Sequence, residues 1–457
     1  MKLKFSFLII SLFFLIFLSS VARVSAFTTN FPHGLTRIDD EKVSEGYVLY
    51  TPIQGVKGDD NVYKTLLINN NGETVHEWSL DYKPGLYSFL LDNGNLLVGG
   101  ATEELKNPPT GGGGGIIQEF NWEGDLVWEY RNEYLHHDFD KMPNGNILAI
   151  LWKPMSAENQ KKVRGGIVGT ENEGQIWADT LIEIDYKTKE IIWEVKVEDL
   201  LDVDDYELES FVTRKSFTHV NSIDYLPQEN TFLSNEAVLI SIRQLNMIAV
   251  IDKKNKKLEW AWGKDKISKQ HNVTLLENNN ILLFDNGVHG TSNKGGFYIP
   301  GSRVIELDPK TLEVVWEYSG DGLGGIHFFS ALMGGAQRLE NGNTLITESM
   351  TGRIFEVTRD KELVWEYVNP YYEQDNNFVF KAIKYSPESI NIQKLSYPDG
   401  KYSFKSKFQE LGTKVATIEI VFFLSVLVFI LSVSLLNLQS DKIIIVIKYL
   451  RKLINKR

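Results

Sequence analysis

The chain has 457 residues, a formal charge of −12 and no cysteine. The acidic balance argues against nucleic acid as a partner, although a local basic pocket can still accept a small anion. Without cysteine there is no disulfide framework, thiol catalysis or thiolate metal site, so stability must come from a packed core.

Residues 1–26 carry Lys2 and Lys4, an apolar stretch over 5–18 and the small-residue exit Val24-Ser25-Ala26. This is the pattern of a signal peptide cleaved after Ala26, with an uncleaved anchor as the alternative. At the other end, 420–438 is nearly uninterrupted apolar sequence of the length that crosses a bilayer. Lys442, Lys448, Arg451, Lys452, Lys456 and Arg457 follow it, which places the C-terminus in the cytoplasm. The expected order is a signal peptide at 1–26, a catalytic domain at 27–385, a stalk at 386–415, a transmembrane helix at 416–440 and a basic cytoplasmic tail at 441–457. The domain would then stand on the extracytoplasmic face of the cell membrane.

Between the ends one unit recurs: a strand, a polar turn and a second strand ending in tryptophan. It occurs six times, ending at Trp78, Trp128, Trp193, Trp260, Trp316 and Trp365, at intervals of 50, 65, 67, 56 and 49 residues. A second hairpin alternates with it, with Asn- and Gly-rich tips at 91–95, 142–146, 226–230, 276–280 and 339–343. Asn and Gly supply the positive φ that tight hairpins need. Two hairpins per period make the four strands of a propeller blade, so the expected fold is all-β, a six-bladed β-propeller. The tryptophans are expected to fill the space between blades. A late strand is expected within 377–385, and 46–53 is expected to complete the last blade from the N-terminal side.

Three other stretches invite sharper claims. Five consecutive glycines at 111–115 lack the Lys-Ser/Thr of a phosphate loop and read as a flexible loop. The acidic run at 198–209 lacks the spaced ligands of a calcium loop and reads as a solvated insertion. Asn272-Val273-Thr274 is a glycosylation sequon whose strand position near the axis disfavours modification.

Several of the eight histidines share a structural address. His137 and His271 each lie seven residues before the central Asn of a hairpin tip, Asn144 and Asn278. His219 heads the same strand in the intervening blade, two residues further from its proline. Equivalent strands in successive blades bring the three imidazoles to one mouth of the central channel. Arg243, on the strand pairing with the one after His219, can point into the same mouth. Arginine offers a planar fork of donors, and imidazole is donor, base or nucleophile, so the set suits an oxyanion. Zinc is the natural rival for three histidines, but Arg243 would repel it.

These segments resemble the arylsulfate sulfotransferases that do not use the nucleotide donor. The resemblance rests on 136–146, His219-Val-Asn-Ser-Ile-Asp224, Ile240-Ser-Ile-Arg243, Gln270-His-Asn272 with Phe284-Asp-Asn-Gly287, and 335–349. It implies a six-bladed propeller and a ping-pong reaction through a sulfated histidine, from an aryl sulfate donor to a phenolic acceptor, with no cofactor and no metal. His271 would be the nucleophile, His219 and Arg243 would hold the sulfuryl oxygens, and Asn221 would orient the group. His137 would line the pocket as a further donor or acid, with His136 the alternative, and Thr347 is a weaker polar contact. The chain departs from the family in lacking room for the separate N-terminal β-domain of some members, in having no cysteine, and in its C-terminal anchor.

Two rivals remain. The 308–316 segment is similar to quinoprotein propeller repeats, which would imply a redox cofactor, although six units and no cysteine pair count against it. A non-catalytic propeller displayed as a binding module is the other.

Overall fold

The computed structural model describes residues 33–56, 63–106, 111–227, 236–288, 300–320, 328–372 and 376–389. The chain divides into two units, Met1–Ser396 and Tyr397–Arg457. The second unit lies outside the described residues, as do the expected signal peptide, transmembrane helix and basic tail and all but the first residues of the expected stalk. Among the described residues no helix is long and apolar enough to cross a membrane.

The first unit is a six-bladed β-propeller, each blade a sheet of antiparallel strands. From axis to rim, the second blade runs Lys83–Leu90, Leu96–Ala101, Gly115–Phe120 and Leu126–Arg131. The third has Leu135–Lys141, Ile147–Pro154, Trp177–Ile184 and Ile191–Lys196, and the fourth Val220–Leu226, Ala237–Ile242, Met247–Asp252 and Lys257–Trp262. The fifth has His271–Leu275, Ile281–Asp285, Arg303–Leu307 and Val314–Tyr318, and the sixth Gly335–Arg338, Thr344–Glu348, Arg353–Val357 and Leu363–Val368.

Ring closure corrects one expectation. Residues 46–53 do not complete the last blade: Tyr47–Tyr50 is the second strand of the first blade, followed outward by Tyr63–Asn69 and Thr74–Leu80. The innermost strand of that blade is the late one, Ile383–Tyr385, which pairs antiparallel with Tyr47–Tyr50. An N-terminal strand does reach the last blade, but it is Gly34–Ile38, laid as a fifth strand on the rim of Leu363–Val368. The axial position of the first blade is thus filled only by the end of the domain.

Period-two alternation makes the stack of blades. Along Ile147–Pro154, Leu148 and Ile150 enter the core shared with the fourth blade, whereas Ile147, Ala149 and Leu151 enter the core shared with the second. Along Ala237–Ile242, Val238, Ile240 and Ile242 face the third blade while Ala237 and Leu239 face the fifth. Central strands buried on both faces read as continuous apolar runs for this reason.

Two side-chain devices explain the repeated motif. Each latching tryptophan gives its indole N–H to a turn carbonyl of the next blade: Trp78 to Asn121 at 2.9 Å, Trp128 to Tyr186 at 2.7 Å, Trp193 to Lys253 at 2.8 Å and Trp316 to Arg359 at 2.8 Å. Trp365 gives its N–H to Asn70 of the first blade. The hairpin asparagines clip each tip to a glutamate two strands outward, with Asn95 on Glu119, Asn146 on Glu183, Asn280 on Glu306 and Asn343 on Glu356. In the corresponding tip of the fourth blade, 226–230, residues 228–230 lie outside the described residues.

The acidic run is less solvated than its composition suggests. Glu198 is buried and accepts the Ser156 amide and the Asn159 side-chain amide at the start of the short helix Ala157–Lys162. Glu209, on Glu207–Thr213, forms an ion pair with Lys269 beside the axial histidines.

Candidate active site

The innermost strands of consecutive blades are joined by side chains that accept a backbone amide from the next. Asp138 accepts from Ile223 at 2.8 Å, Ser222 from Val273 at 3.1 Å and Asn272 from Ala336 at 2.7 Å. These rungs place Asp138, Ser222 and Asn272 at one level, and His137, Asn221 and His271 each one residue earlier.

His137 and His271 therefore do hold equivalent positions, but His219 does not. Asn221 occupies the equivalent place in the fourth blade, and His219 reaches in from two residues earlier. Its backbone is left-handed, φ 50°, an uncommon and strained state for histidine. Arg243 is also displaced, because Ala237–Ile242 ends just before it and it opens the 3-10 turn Arg243–Leu245. Its amide donates to the His219 carbonyl at 3.1 Å, and that of Gln244 to Thr218 at 3.1 Å, so the two turns move as one.

His136, His137 and His219 form a buried cluster. The His136 ring centroid is 4.2 Å from that of His137 and 5.4 Å from that of His219. Trp152 packs edge-on to His136 and His219 at 4.5 and 5.2 Å, and Phe380 closes on His137 at 5.0 Å. One nitrogen from each of the three lies within 4.8 Å of the others, a spacing that could hold a metal ion. The charges of Arg243 on His219 and of Lys381 on His137 oppose a cation there.

His271 is set by Asn286. The Asn286 side-chain amide donates to the carbonyls of Ser330 at 2.7 Å and Met333 at 2.6 Å, so its oxygen must be the atom facing His271 Nδ1, 2.7 Å away. Nδ1 then carries the proton and Nε2 keeps its lone pair. Burial, seconded by the charge of Arg243, pushes the imidazole down to about 3, so the ring is neutral at physiological pH. Burial also pushes His137 down to about 3, and His136 and His219 well below the usual histidine range. Arg243, lowered to about 10 by burial, remains a cation. The Glu209 carboxylate, which also pairs with Lys269, acts on it in the opposite sense to burial. Arg243 and Lys269 share the one carboxylate of Glu209, and neutral imidazoles beside that excess of basic groups suit a small oxyanion.

Asn221 donates to the Gln270 carbonyl at 2.8 Å and so holds the residue before His271. The Thr347 hydroxyl accepts the Ala382 amide at 3.0 Å, next to Phe380 and Lys381 rather than on a histidine. Sequence reasoning missed Asn286, Asp179, Trp152 and Lys269. Asn286 lies inside the quoted 284–287 segment, whereas Asp179 and Trp152 carry no local signal.

The glycine run is not simply a flexible loop. A Cβ on Gly112, whose φ is +91°, would lie 2.4 Å from His136 Nε2 and 2.8 Å from His137 Cδ2. The main chain rests directly on both imidazoles, which only glycine permits. The sequon residue Asn272 is buried and bonded to Ala336, which leaves it closed to glycosylation in the folded chain.

A propeller with an axial histidine–arginine site is the class that fold and geometry define. The model of the Arylsulfotransferase (ASST) family matches residues 88–370, and the chain belongs to that family. Membership points to sulfotransferase activity on small aryl substrates. No curated protein matches the chain. Among solved structures, a protein of unknown function from Bacteroides caccae is 13% identical with a TM-score of 0.46, covering 75% of this chain and 99% of that one. A functionally unknown protein from Desulfotomaculum acetoxidans DSM 771 is 10% identical with a TM-score of 0.39, covering 75% and 100%. A streptogramin B lyase is 13% identical with a TM-score of 0.39, covering 77% and 97%.

Proposed function

We propose that the protein moves a sulfuryl group from an aryl sulfate to a phenolic acceptor by a ping-pong reaction, with His271 Nε2 as the nucleophile. The observation that carries this reading is the Asn286 contact, which fixes the tautomer of a neutral imidazole. In the first half-reaction the N–S bond forms and the aryl S–O bond breaks, and the electron pair leaves on the phenolate oxygen. The positive charge that develops on the ring falls on Nδ1–H, which Asn286 already accepts. Arg243 and His219 balance the charge on the sulfuryl oxygens, and His137 or His136 serves the leaving oxygen as a hydrogen-bond donor. A phenol then attacks sulfur: its oxygen forms the new S–O bond, its proton passes through His137 or His136 to water, and the N–S bond breaks with its electron pair returning to Nε2, which restores neutral His271. None of these steps uses a nucleotide donor.

Incubation with a nitrophenyl sulfate should leave a sulfated peptide containing His271, and His271→Asn should abolish transfer to phenol. Undiminished transfer by that variant would sink the mechanism. A wild-type protein that releases phenol from no aryl sulfate would favour a binding module instead.

The same proposal includes display outside the cytoplasm, supported by the apolar 420–438 stretch and the cations after it. Extraction of the full chain from membranes by alkaline carbonate would overturn the anchor.

A further inference from the structure

Asp179 lies in the third strand of the third blade, far from His219 in sequence, yet it grips the turn that carries it. One carboxylate oxygen accepts the Thr218 hydroxyl at 2.5 Å and the Val220 amide at 2.7 Å, one residue on each side of His219. The Asp179 amide in turn donates to the Thr218 hydroxyl oxygen at 3.0 Å. The other carboxylate oxygen stands 3.6 Å from His136 Nδ1. Asp179 and Thr218 are both buried, at 1% and 0% exposure, so water does not compete for these bonds.

The turn has a second dependant. Because Thr218 and His219 accept the amides of Gln244 and Arg243, whatever fixes 218–220 also fixes the backbone of Arg243. The left-handed conformation of His219 needs such restraint, since a non-glycine residue leaves that region when its surroundings allow.

We propose that Asp179 is a positioning residue for sulfuryl transfer: its single carboxylate sets His219 and Arg243 together as the oxygen-holding pair. This rests on the sulfuryl reading of the site. Asp179 touches no reacting atom and acts through these neighbours.

The test is a graded series in the full chain. Thr218→Ser keeps the hydroxyl and should stay within about twofold of wild type. Asp179→Asn keeps an acceptor for the Val220 amide and should lose about tenfold in kcat/KM, whereas Asp179→Ala should lose about a hundredfold, as expected for a misplaced binding pair. The loss should be the same for good and poor leaving phenols, because the pair holds the sulfuryl oxygens and not the aryl oxygen. Binding of inorganic sulfate, measured by calorimetry, should weaken in the same order. That arm needs no turnover, so it tests Asp179 even if no aryl sulfate is a substrate.

Should Asp179→Ala fail to fold, Asp179→Asn and Thr218→Val, which preserve packing, decide the matter. The proposal is overturned if these variants bind sulfate as wild type does, or if Thr218→Ser is as impaired as Thr218→Val. It is overturned equally if the loss is confined to poor leaving groups.

Discussion

Trp365 in the sixth blade donates its indole N–H to the carbonyl of Asn70 in the first blade at 2.7 Å. It is the latch that crosses the seam of the ring, and the same kind of bond is made at four other blade boundaries. Trp365→Phe keeps most of the packing and removes the donor, so it should cost about 1 kcal/mol. Trp365→Ala also opens a cavity and should cost about 3–5 kcal/mol. Urea unfolding measures both, and a midpoint unmoved by either change would deny the latch its role.

Asn286 controls which nitrogen of His271 is free. Asn286→Ala releases the tautomer and should lower single-turnover sulfation about 10- to 100-fold with little change in substrate affinity. Asn286→Asp places a carboxylate on Nδ1 and favours the protonated ring, so sulfation should gain an acid limb that wild type lacks. A flat pH profile in Asn286→Asp would contradict the assigned tautomer.

The depressed imidazoles link folding to pH. His271 sits at about 3 in the fold against an unfolded value near 6.5. Between these values the unfolded chain binds a proton that the folded chain does not, so the contribution of His271 is complete above about pH 6.5 and is lost as pH falls. From about pH 7 to about pH 5 that loss is about 2 kcal/mol. Asp179 and Asp224, raised by burial to about 7, run in the opposite direction over much of that window. The clean measurement is therefore a difference: the gap in unfolding free energy between wild type and His271→Asn should shift in favour of the variant by about 2 kcal/mol on acidification from about pH 7 to about pH 5. A gap independent of pH would mean that the ring is not held neutral.

Gly112 and Gly111 separate contact from backbone strain. Both have left-handed backbones, φ +91° and +86°, but an added Cβ on Gly111 meets nothing within 4 Å. Gly111→Ala should cost about 1 kcal/mol of stability through strain and leave transfer intact. Gly112→Ala displaces His136 and His137 and should lower turnover about a hundredfold. Equal activity in the two variants would show that the loop does not set the imidazoles.

The blade count was readable because tryptophan hairpins and asparagine tips alternate along the chain whatever the length of the loops between them, and each copy reports the same packing. His271 and His137 were readable as equivalent because each keeps the same distance to its hairpin tip. His219 was found but misplaced, since its two extra residues fold into a left-handed turn that spacing does not reveal. Asp179 and Asn286 act across 41 and 15 residues respectively, on Val220 and His271. Such pairings have no period to betray them. Closure by the late strand was open to two solutions, because a four-stranded blade can be completed from either end of the domain with the same hydrogen bonds.

That choice of closure ties the chemistry to the completeness of the polypeptide. Phe380, which closes on His137, and Lys381, whose charge acts on it, immediately precede Ile383–Tyr385. During synthesis the first blade waits for an inner strand that leaves the ribosome after every other strand of the ring. Until then the histidines lack one wall and stay open to water. A propeller interrupted before residue 380 would thus be an unfinished ring and an unfinished histidine site at once.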